Sequence, residues 1–468
     1  MKNIRRFSRI LLINLPSTIQ DGYKPSPLGI LYLASYLRQN VPHIKVNVVD
    51  GALLGSAAIY RKVKKFHPDL TGLSVMTPGR IEAVDIAKKI KKILPHCRIV
   101  LVGIHPTIMW QQMMQHYSII DYIIKGEGEI TLSELVQNSS LPQIKGLVWR
   151  KSFQIINNPS QLLIQHLDQI PFPAWDLIDL QQYPPRGQGV FNGINLEKEI
   201  RVPIIFSRGC MGACTFCSTW KIWRGYRYRS GKNVAREISL LVRKYHAKHF
   251  VFQDDTLTGN RQEMVDFCQQ IIKRKLKIAI IGCTRVDHVD LPLLKLMKKA
   301  GFYELSFGIE SGSPDMLKKI NKKTNINEII TAAQNTKKAG IKFTALMMSN
   351  IPTETEKDKQ LSQKLLDQLQ PDNWSTLGNV WIFPGTALFQ QAKSAKIITD
   401  SFWLSRRPYY IYRGGIGHDP IQYEQLIDDW YQSYQSTFWG RIFYRFLSLC
   451  NQKMKYISYN SLRLLLSI

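Results

Sequence analysis

The sequence predicts an α/β protein: a Rossmann-like parallel-sheet domain, then a partial (β/α)6 barrel of the TIM type, then a helical C-terminal tail. Three observations predict it. Short apolar runs alternate with helical patterns up to about residue 145. The same alternation resumes at 201 and continues through six units. Between them, residues 146–200 carry Pro159, Pro171, Pro173, Pro184 and Pro185 and show little periodicity. Continuous apolar strands separated by helices mean parallel sheets covered on both faces. The expected divisions are 1–145, a linker over 146–200, a barrel over 201–395, and an aromatic-rich helical region over 396–468.

In the first region, Ile10–Leu15 is an apolar run that stops at Pro16, and Leu28–Arg38 has apolar residues at helical spacing. Lys45–Asp50 is a strand ending in a carboxylate. Leu70–Met76 leads into a helix that reaches Ile90. Arg98–Gly103 and Tyr122–Ile124 are the fourth and fifth strands. In such sheets ligands sit beyond the carboxyl ends of the strands. The linker is given one small hairpin, near Gly146–Ile155. Barrel strands are expected at 202–207, 248–253, 277–283, 302–310, 341–348 and 376–383. Barrel chemistry gathers at the carboxyl ends. The sequence places a cysteine cluster, Asp254-Asp255, Glu310-Ser311 and Pro352 there.

With 468 residues, 44% of them hydrophobic, the chain can build several cores, which excludes disorder as a global description. Its formal net charge of +28 attracts nucleic acid, anionic lipid or phosphorylated ligands. A solvated, Lys-rich surface explains that charge equally well. The seven cysteines are odd in number and three crowd together, unlike a secreted disulfide framework. A reducing, cytoplasmic compartment is expected. The basic start and the apolar Ile10–Leu15 are too short for a signal peptide, and no cleavage site follows. No run of about 18 apolar residues appears, so no transmembrane helix is expected.

The segment with the sharpest chemistry is Ser207-Arg208-Gly209-Cys210-Met211-Gly212-Ala213-Cys214-Thr215-Phe216-Cys217-Ser218. Three thiolates at this spacing fit one loop wrapped around an iron–sulfur cluster. A [4Fe-4S] cube normally takes four cysteines, so three leave one iron open. Gly209 and Gly212 permit the turns such a loop needs. Zinc is the alternative, but it wants four ligands, usually in two separated pairs. His246 and His249 are available, in or beside a helix–strand unit.

This spacing resembles the cysteine motif of the radical S-adenosylmethionine (SAM) superfamily. The resemblance implies a [4Fe-4S] cluster on Cys210, Cys214 and Cys217 that cleaves SAM to a 5′-deoxyadenosyl radical. Gln253-Asp254-Asp255-Thr256 is similar to the acidic pair at the family's second strand. Gly308-Ile309-Glu310-Ser311-Gly312 is similar to its G-x-E-S segment. By resemblance, Asp254, Asp255, Gly308, Glu310 and Ser311 contact SAM, and Phe216 packs near its adenine. A helix N-cap is the plainer reading of Asp254. At the fifth strand the sequence has Asn350-Ile351-Pro352-Thr353-Glu354-Thr355 where relatives read G-x-P-x-E-T. Asn tolerates positive φ, so the turn is expected to survive.

The first domain resembles the cobalamin-binding domain of B12-dependent radical SAM proteins. The matching stretches are Pro27–Ala34, Gly103-Ile104-His105-Pro106-Thr107 and Gly126-Glu127-Gly128-Glu129, with Pro171–Asp176 after them. The resemblance implies cobalamin near Thr77, Gly103, His105, Gly126, Glu127 and Gly128. Asp50-Gly51-Ala52-Leu53-Leu54-Gly55 echoes the cobalt-ligating D-x-H-x-x-G but has Ala52 in place of His. His105 is the remaining ligand candidate, with an ordinary loop residue as its plainer reading. A methylthiotransferase would need a second cluster, and this domain holds only Cys97.

Lys221–Lys232 interleaves basic and aromatic residues, as single-stranded nucleic-acid grooves do. Relatives carry an Arg-rich stretch here, so packing over the site is the favoured reading and nucleic acid is not an expected partner. Trp439, Ile442, Phe443, Phe446 and Leu447 fall at helical spacing beside Arg441 and Arg445. That helix would dock on the barrel or lie on a membrane as a peripheral contact. The resemblance implies an enzyme that methylates an unactivated carbon of a small or lipid-like substrate, served by a reductant such as flavodoxin or ferredoxin. Radical cyclisation or rearrangement, as in tetrapyrrole cyclases, is the alternative with the same cofactors. A basic nucleic-acid-binding protein is the alternative from another class. No residue is singled out as catalytic acid or base.

Overall fold

The structure, a computed structural model, describes residues 6–16, 24–374, 378–407 and 410–411. The basic amphipathic pattern at 439–447 lies outside the described residues, as does most of the expected C-terminal region.

The first sheet is built as expected. Its strands are β1 (Arg9–Asn14), β2 (Lys45–Asp50), β3 (Leu70–Ser74), β4 (Arg98–Val102) and β5 (Tyr122–Ile124), all parallel. They alternate with α1 (Leu28–Asn40), α2 (Gly51–Phe66), α3 (Arg80–Ile93), α4 (Ile104–His116) and α5 (Glu129–Val136). Side chains from Ile10 to Ile13 are fully buried because β1 is covered on both faces. Strand order begins β2-β1-β3-β4-β5. The order therefore reverses between β1 and β3, where sheets of this kind open a ligand crevice at their carboxyl ends. Asp50, the echo of a cobalt motif, instead caps α2 at Ala52 and accepts the Tyr183 hydroxyl at 2.7 Å.

The segment read as a linker is structured. Its hairpin, β6 (Leu147–Lys151) and β7 (Gln154–Asn157), adds two antiparallel strands to the first sheet beyond β5. The short β5 leaves an open edge, and Leu147 and Val148 bury themselves fully on it. Trp175, Leu180 and Tyr183 are buried as well. A second hairpin, β8 (Val190–Phe191) with β9 (Ile194–Asn195), packs Ile194 and Leu196 against Ala279 and Tyr303.

The second sheet starts at β10 (Arg201–Ile204). A side ribbon of β11 (Ser207–Arg208) and β12 (Arg227–Tyr228) encloses the cysteine loop and the short α6 (Thr219–Trp223). The series continues with α7 (Gly231–Tyr245), β13 (His249–Phe252), α8 (Arg261–Lys273), β14 (Ala279–Thr284), α9 (Leu291–Ala300) and β15 (Phe302–Glu310). Then come α10 (Pro314–Lys319), α11 (Ile326–Lys338), β16 (Lys342–Ser349) and α12 (Glu356–Leu369). Strands β10, β13, β14, β15 and β16 are hydrogen-bonded in chain order and parallel. Local sequence starts these helices where it should: Ser230, Asn260, Asp290, Asn325 and Thr355 each accept a backbone N–H at a helix N-cap.

The sixth strand departs from expectation. Instead of one run over 376–383, two short pieces pair with β16: β17 (Asn373–Trp374) and β18 (Gly378–Asn379). Gly and Asn are poor strand formers, which agrees with the short pairing there. Next, β19 (Trp381–Ile382) leaves the sheet, α13 (Ala387–Ser394) follows, and β20 (Tyr410–Ile411) returns antiparallel to β19.

One apolar core runs through both sheets, from Ile10 and Leu31 to Phe206, Phe252 and Leu388. The other face of the first sheet has its own core around Leu11, Leu73 and Leu101. The post-barrel segment folds back on α4: Phe389 and Trp403 pack against Met109. The fully buried Arg80 fastens it, donating to the carbonyls of Trp403, Ser405 and Arg407 at 2.6, 2.7 and 2.5 Å.

Candidate active site

The cysteine loop leaves the barrel at the carboxyl end of β10. Gly209 sits at φ +89, and a Cβ there would fall 1.8 Å from the Gly225 carbonyl oxygen, so only glycine lets the loop close. Asp254, at the end of β13, braces the entry: its carboxylate accepts from Phe206 N at 3.1 Å and from both the N–H and hydroxyl of Ser207. The N-cap reading of Asp254 therefore fails, because Asn260 caps α8 itself. Burial pushes the Asp254 carboxyl up to about 7, against the donors that favour its charged form.

Cys214 is buried, while Cys210 and Cys217 are partly open. The sulfur of Cys210 accepts from Gly212 N at 3.3 Å and lies 3.2 Å from the Thr256 hydroxyl. The sulfur of Cys217 accepts from Thr219 N at 3.4 Å. A Cβ on Gly212 would stand 3.5 and 3.7 Å from the sulfurs of Cys210 and Cys214, and 3.1 Å from an Arg285 guanidinium nitrogen. The missing side chain thus leaves a cradle between two thiols. Burial raises the Cys214 thiol, and the nearby Lys322 and Arg285 cations work in the opposite direction. Among the described residues, no three His, Cys, Asp or Glu converge as a single bound ion would require. A multi-iron cluster spreads its thiolates over separate irons.

Glu310 ends β15 in the left-handed region, at φ +72, where a non-glycine residue is strained. Its carboxylate is held by the Lys322 ammonium at 2.9 Å. Gly308 makes room for that pair, since a Cβ there would lie 2.6 Å from the Glu310 carboxylate and 2.7 Å from the Lys322 nitrogen. Ser311 is fully buried; its hydroxyl accepts from Ser313 N at 3.1 Å and meets the Ser362 hydroxyl at 3.2 Å. Ser311 therefore shapes the turn. Asp255 stands in the mouth, open to solvent yet ringed by protein, and that crowding raises its carboxyl to about 6. Phe216 is half-buried on the common core. Asn350 adopts φ +57, as the fifth-strand turn demands.

The carboxyl edge of the first sheet meets this loop through ions. Glu127 accepts from Arg208 at 3.0 Å and from both terminal nitrogens of Arg227 at 2.7 and 3.0 Å. Arg208 also donates to Glu129 at 2.6 Å. All four side chains are buried, and the guanidinium groups hold the Glu127 carboxyl below its ordinary range despite burial. Glu127 thus fastens the sheet to the cysteine loop through both of its carboxylate oxygens. Arg229 is likewise spent on Glu237 at 2.6 Å. The Arg-rich stretch packs inward at Arg227 and Arg229, which is the packing reading and not the nucleic-acid one.

The remaining first-domain residues divide. Gly126, at φ +76, has open space where a side chain would stand. Gly128 packs close to Leu33, and Gly103, at φ +108, lets its chain approach Val75, whose carbonyl oxygen a Cβ would meet at 2.8 Å. Thr77 and His105 are buried together, with the Thr77 hydroxyl 3.3 Å from His105 Nδ1. Burial and the Arg80 charge lower the imidazole to about 3, so it is neutral, and its Nε2 has no hydrogen-bond partner among the described residues. The ring is fully enclosed, with Trp403 edge-on at 6.5 Å. His249, half of the zinc alternative, is buried at the amino end of β13 with the Tyr303 hydroxyl at 3.0 Å, away from the cysteine loop.

Sequence reasoning missed Lys322, Arg285, Arg208 and Thr256. Two of them had a signal: Arg208 immediately precedes Gly209-Cys210, and Thr256 follows the acidic pair Asp254-Asp255.

Comparison with known proteins agrees with this layout. Residues 204–365 match the radical SAM superfamily and residues 18–136 match the B12-binding domain. A protein described as an uncharacterized methyltransferase of Pyrococcus horikoshii is 32% identical over 392 residues, covering 82% of each chain. This chain belongs to the cobalamin-binding radical SAM family. An anaerobic magnesium-protoporphyrin IX monomethyl ester cyclase of Rubrivivax gelatinosus is 31% identical; the alignment covers 78% of this chain and 66% of the cyclase. In fold, this radical SAM protein is similar to the cobalamin-dependent enzyme OxsB, with a TM-score of 0.73 at 19% identity over 87% of this chain and 64% of OxsB. It is also similar to the methyltransferase TsrM of Kitasatospora setae, with a TM-score of 0.68 at 17% identity over 83% of this chain and 75% of TsrM.

The family's cofactors are a [4Fe-4S] cluster, SAM and cobalamin, and the chain's residues fit them. Two of the three thiols, Cys210 and Cys214, flank the Gly212 cradle, and the Arg285 and Lys322 cations lie near Cys214. The switch point and the open Gly126 lie at the carboxyl edge of the first sheet. Radical SAM enzymes act on small-molecule or lipid-like substrates and need a reductant. Among the described residues, no helix is long and apolar enough to cross a membrane.

Proposed function

We propose that this enzyme methylates an unactivated carbon of a small or lipid-like substrate. One observation carries the reading: the Glu127, Glu129, Arg208 and Arg227 cluster fastens the carboxyl edge of the first sheet to the loop bearing Cys210, Cys214 and Cys217. Both cofactor-binding edges then serve one substrate space. When bound, the cluster supplies the electron that splits SAM into a 5′-deoxyadenosyl radical, and cobalamin supplies the methyl carrier. The protein's part is position. Cys210, Cys214 and Cys217 hold the cluster, and Lys322 and Arg285 offset its negative charge. Phe216, Asp255 and Glu310 line the SAM side, while Asp254, Gly308 and Ser311 act by fixing the turns. Thr77, Gly103, His105, Gly126 and Gly128 support the cobalamin edge.

Flavodoxin or ferredoxin is the proposed reductant, and the C-terminal region the proposed peripheral membrane contact. A hopanoid C-3 methylase of Methylococcus capsulatus, 23% identical over 72% of this chain and 63% of its own, supports a lipid-like substrate. Radical cyclisation is the second reading, favoured by the cyclase relatives. The test is anaerobic incubation of the reconstituted enzyme with reductant and methyl-labelled SAM. Methyl transfer predicts S-adenosylhomocysteine release with label retained on the bound corrin. 5′-Deoxyadenosine alone, with no S-adenosylhomocysteine, would favour cyclisation.

A further inference from the structure

A groove of about 990 Å³ lies between the loop after β14 and the α10–α11 connection. Its lining includes Asp287, Leu317, Lys318, Asn321, Lys323 and Asn325. Residues 314–323 carry four lysines and one aspartate. Lys322 turns inward to Glu310, whereas Lys318 and Lys323 are exposed and have no carboxylate partner among the described residues. The carboxylates of the groove are already engaged. Asp287 pairs with Arg285 at 2.8 Å, and Glu328 accepts from Asn325 N at 3.0 Å. With Asp287 neutralised by Arg285, Lys318 and Lys323 outnumber Glu328, whose charge the Asn325 N–H does not cancel, so the groove carries net positive charge over an apolar floor of Leu317 and Val286.

The wall behind the groove is the cysteine loop itself. Asn321, which lines the groove, donates from Nδ2 to the Ala213 carbonyl at 2.8 Å. The Ile320 carbonyl accepts from Thr215 N at 3.0 Å. These contacts grip both neighbours of Cys214. Arg285, next to Val286 and Asp287 of the lining, reaches the Gly212 cradle and donates to the Lys322 carbonyl at 3.1 Å. A partner seated in the groove is therefore separated from the cluster loop by one layer of side chains.

We propose that this groove docks the reductant, a small acidic electron-transfer protein; the proposal rests on the reading that Cys210, Cys214 and Cys217 carry the cluster. Electron-transfer encounters are small and brief, and opposite charge sets their association rate more than their affinity. In the docked complex the partner loses one electron and the cluster gains it, and no atom or proton moves. Lys318 and Lys323 steer the acidic face, and Leu317 supplies apolar contact.

The test uses the reconstituted full chain with reduced flavodoxin as the probe, following cluster bleaching by anaerobic stopped flow. The double variant Lys318→Glu with Lys323→Glu should slow reduction by flavodoxin at least about tenfold at low salt and flatten its salt dependence. Dithionite-driven SAM cleavage by the same variant should stay at the wild-type rate, which also shows that it folds. The milder Lys323→Ala should give a smaller loss in the same direction. Lys88→Glu with Lys89→Glu, on exposed positions of α3, should leave the rate unchanged. An unaltered flavodoxin rate in the first variant, with dithionite-driven cleavage intact, would overturn the docking site alone. Wild-type protein that cleaves no SAM with dithionite would overturn the cluster reading and the docking site together.

Discussion

Glu127 and Glu310 stand at the carboxyl ends of different sheets, both with nearly enclosed side chains and both bound to cations, yet they do different work. Glu127 accepts from two guanidinium groups and from Ile164 N, which occupies its oxygens. Among the described residues Glu310 has one partner, Lys322, on a strained backbone near Cys214. The first is a fastener between sheets. The second leaves one carboxylate oxygen without a partner among the described residues. The contrast teaches that a glutamate in a family motif is assigned by what saturates it, not by the motif.

The largest expected effect separates the two regions by metal. Cys214→Ala should abolish SAM cleavage and strip most iron from the reconstituted protein. Cys97→Ala, in the first sheet beside Thr71, should leave iron content unchanged. Equal iron in both variants would break the assignment of the cluster to the barrel.

Next in size is the fastener. Glu127→Ala leaves Arg227 and part of Arg208 buried without their carboxylate, which costs about 3–5 kcal/mol for a broken buried pair. Urea unfolding should show that loss. A loss under about 1 kcal/mol would mean that the sheets are held by the apolar core alone.

The effect that vanishes at neutral pH is a pH slope shared by two buried histidines. Burial lowers His105, in the first domain, and His249, in the barrel, to about 3. Below the unfolded value of about 6.5 the unfolded chain binds protons that the folded one refuses. Each histidine should therefore subtract about 1.4 kcal/mol of stability per pH unit as pH drops from about 6.5 toward 3, while the raised carboxyls of Asp254 and Asp255 take up protons in the folded chain and act in the opposite direction over much of that window. Glu127, with its lowered carboxyl, adds to the fall only in the acid carboxylate range. Unfolding free energies measured against pH should show that His105→Leu and His249→Leu each lose less stability toward acid than the wild type does. An unchanged slope in one variant would locate the acid sensitivity in the other region.

Much of this was legible in the sequence. Strands β1 to β5 appear within two residues of the expected positions, because runs such as Ile10–Ile13 have no other packing solution. The cysteine spacing named the chemistry, since three thiolates in eight residues leave few alternatives. Asn350 kept the positive φ expected of it. The hairpin β6–β7 falls where it was expected, near Gly146–Ile155, but its pairing onto β5 was not legible, because β5 is only three residues long. The sixth barrel strand was overextended because Gly378 and Asn379 interrupt its apolar pattern. Lys322 and Arg285 were invisible: one buried lysine among many exposed ones carries no periodicity, and their roles come from partners distant in the chain. The ion pairs of Glu127 were invisible for the same reason, because its partners lie 81 and 100 residues away.

The most direct test of the central claim is anaerobic reconstitution with iron, sulfide and hydroxocobalamin, followed by metal and corrin analysis of the desalted full chain. The account predicts about four iron and about one cobalt per chain, with SAM cleaved on reduction. A folded protein that retains neither metal would contradict it.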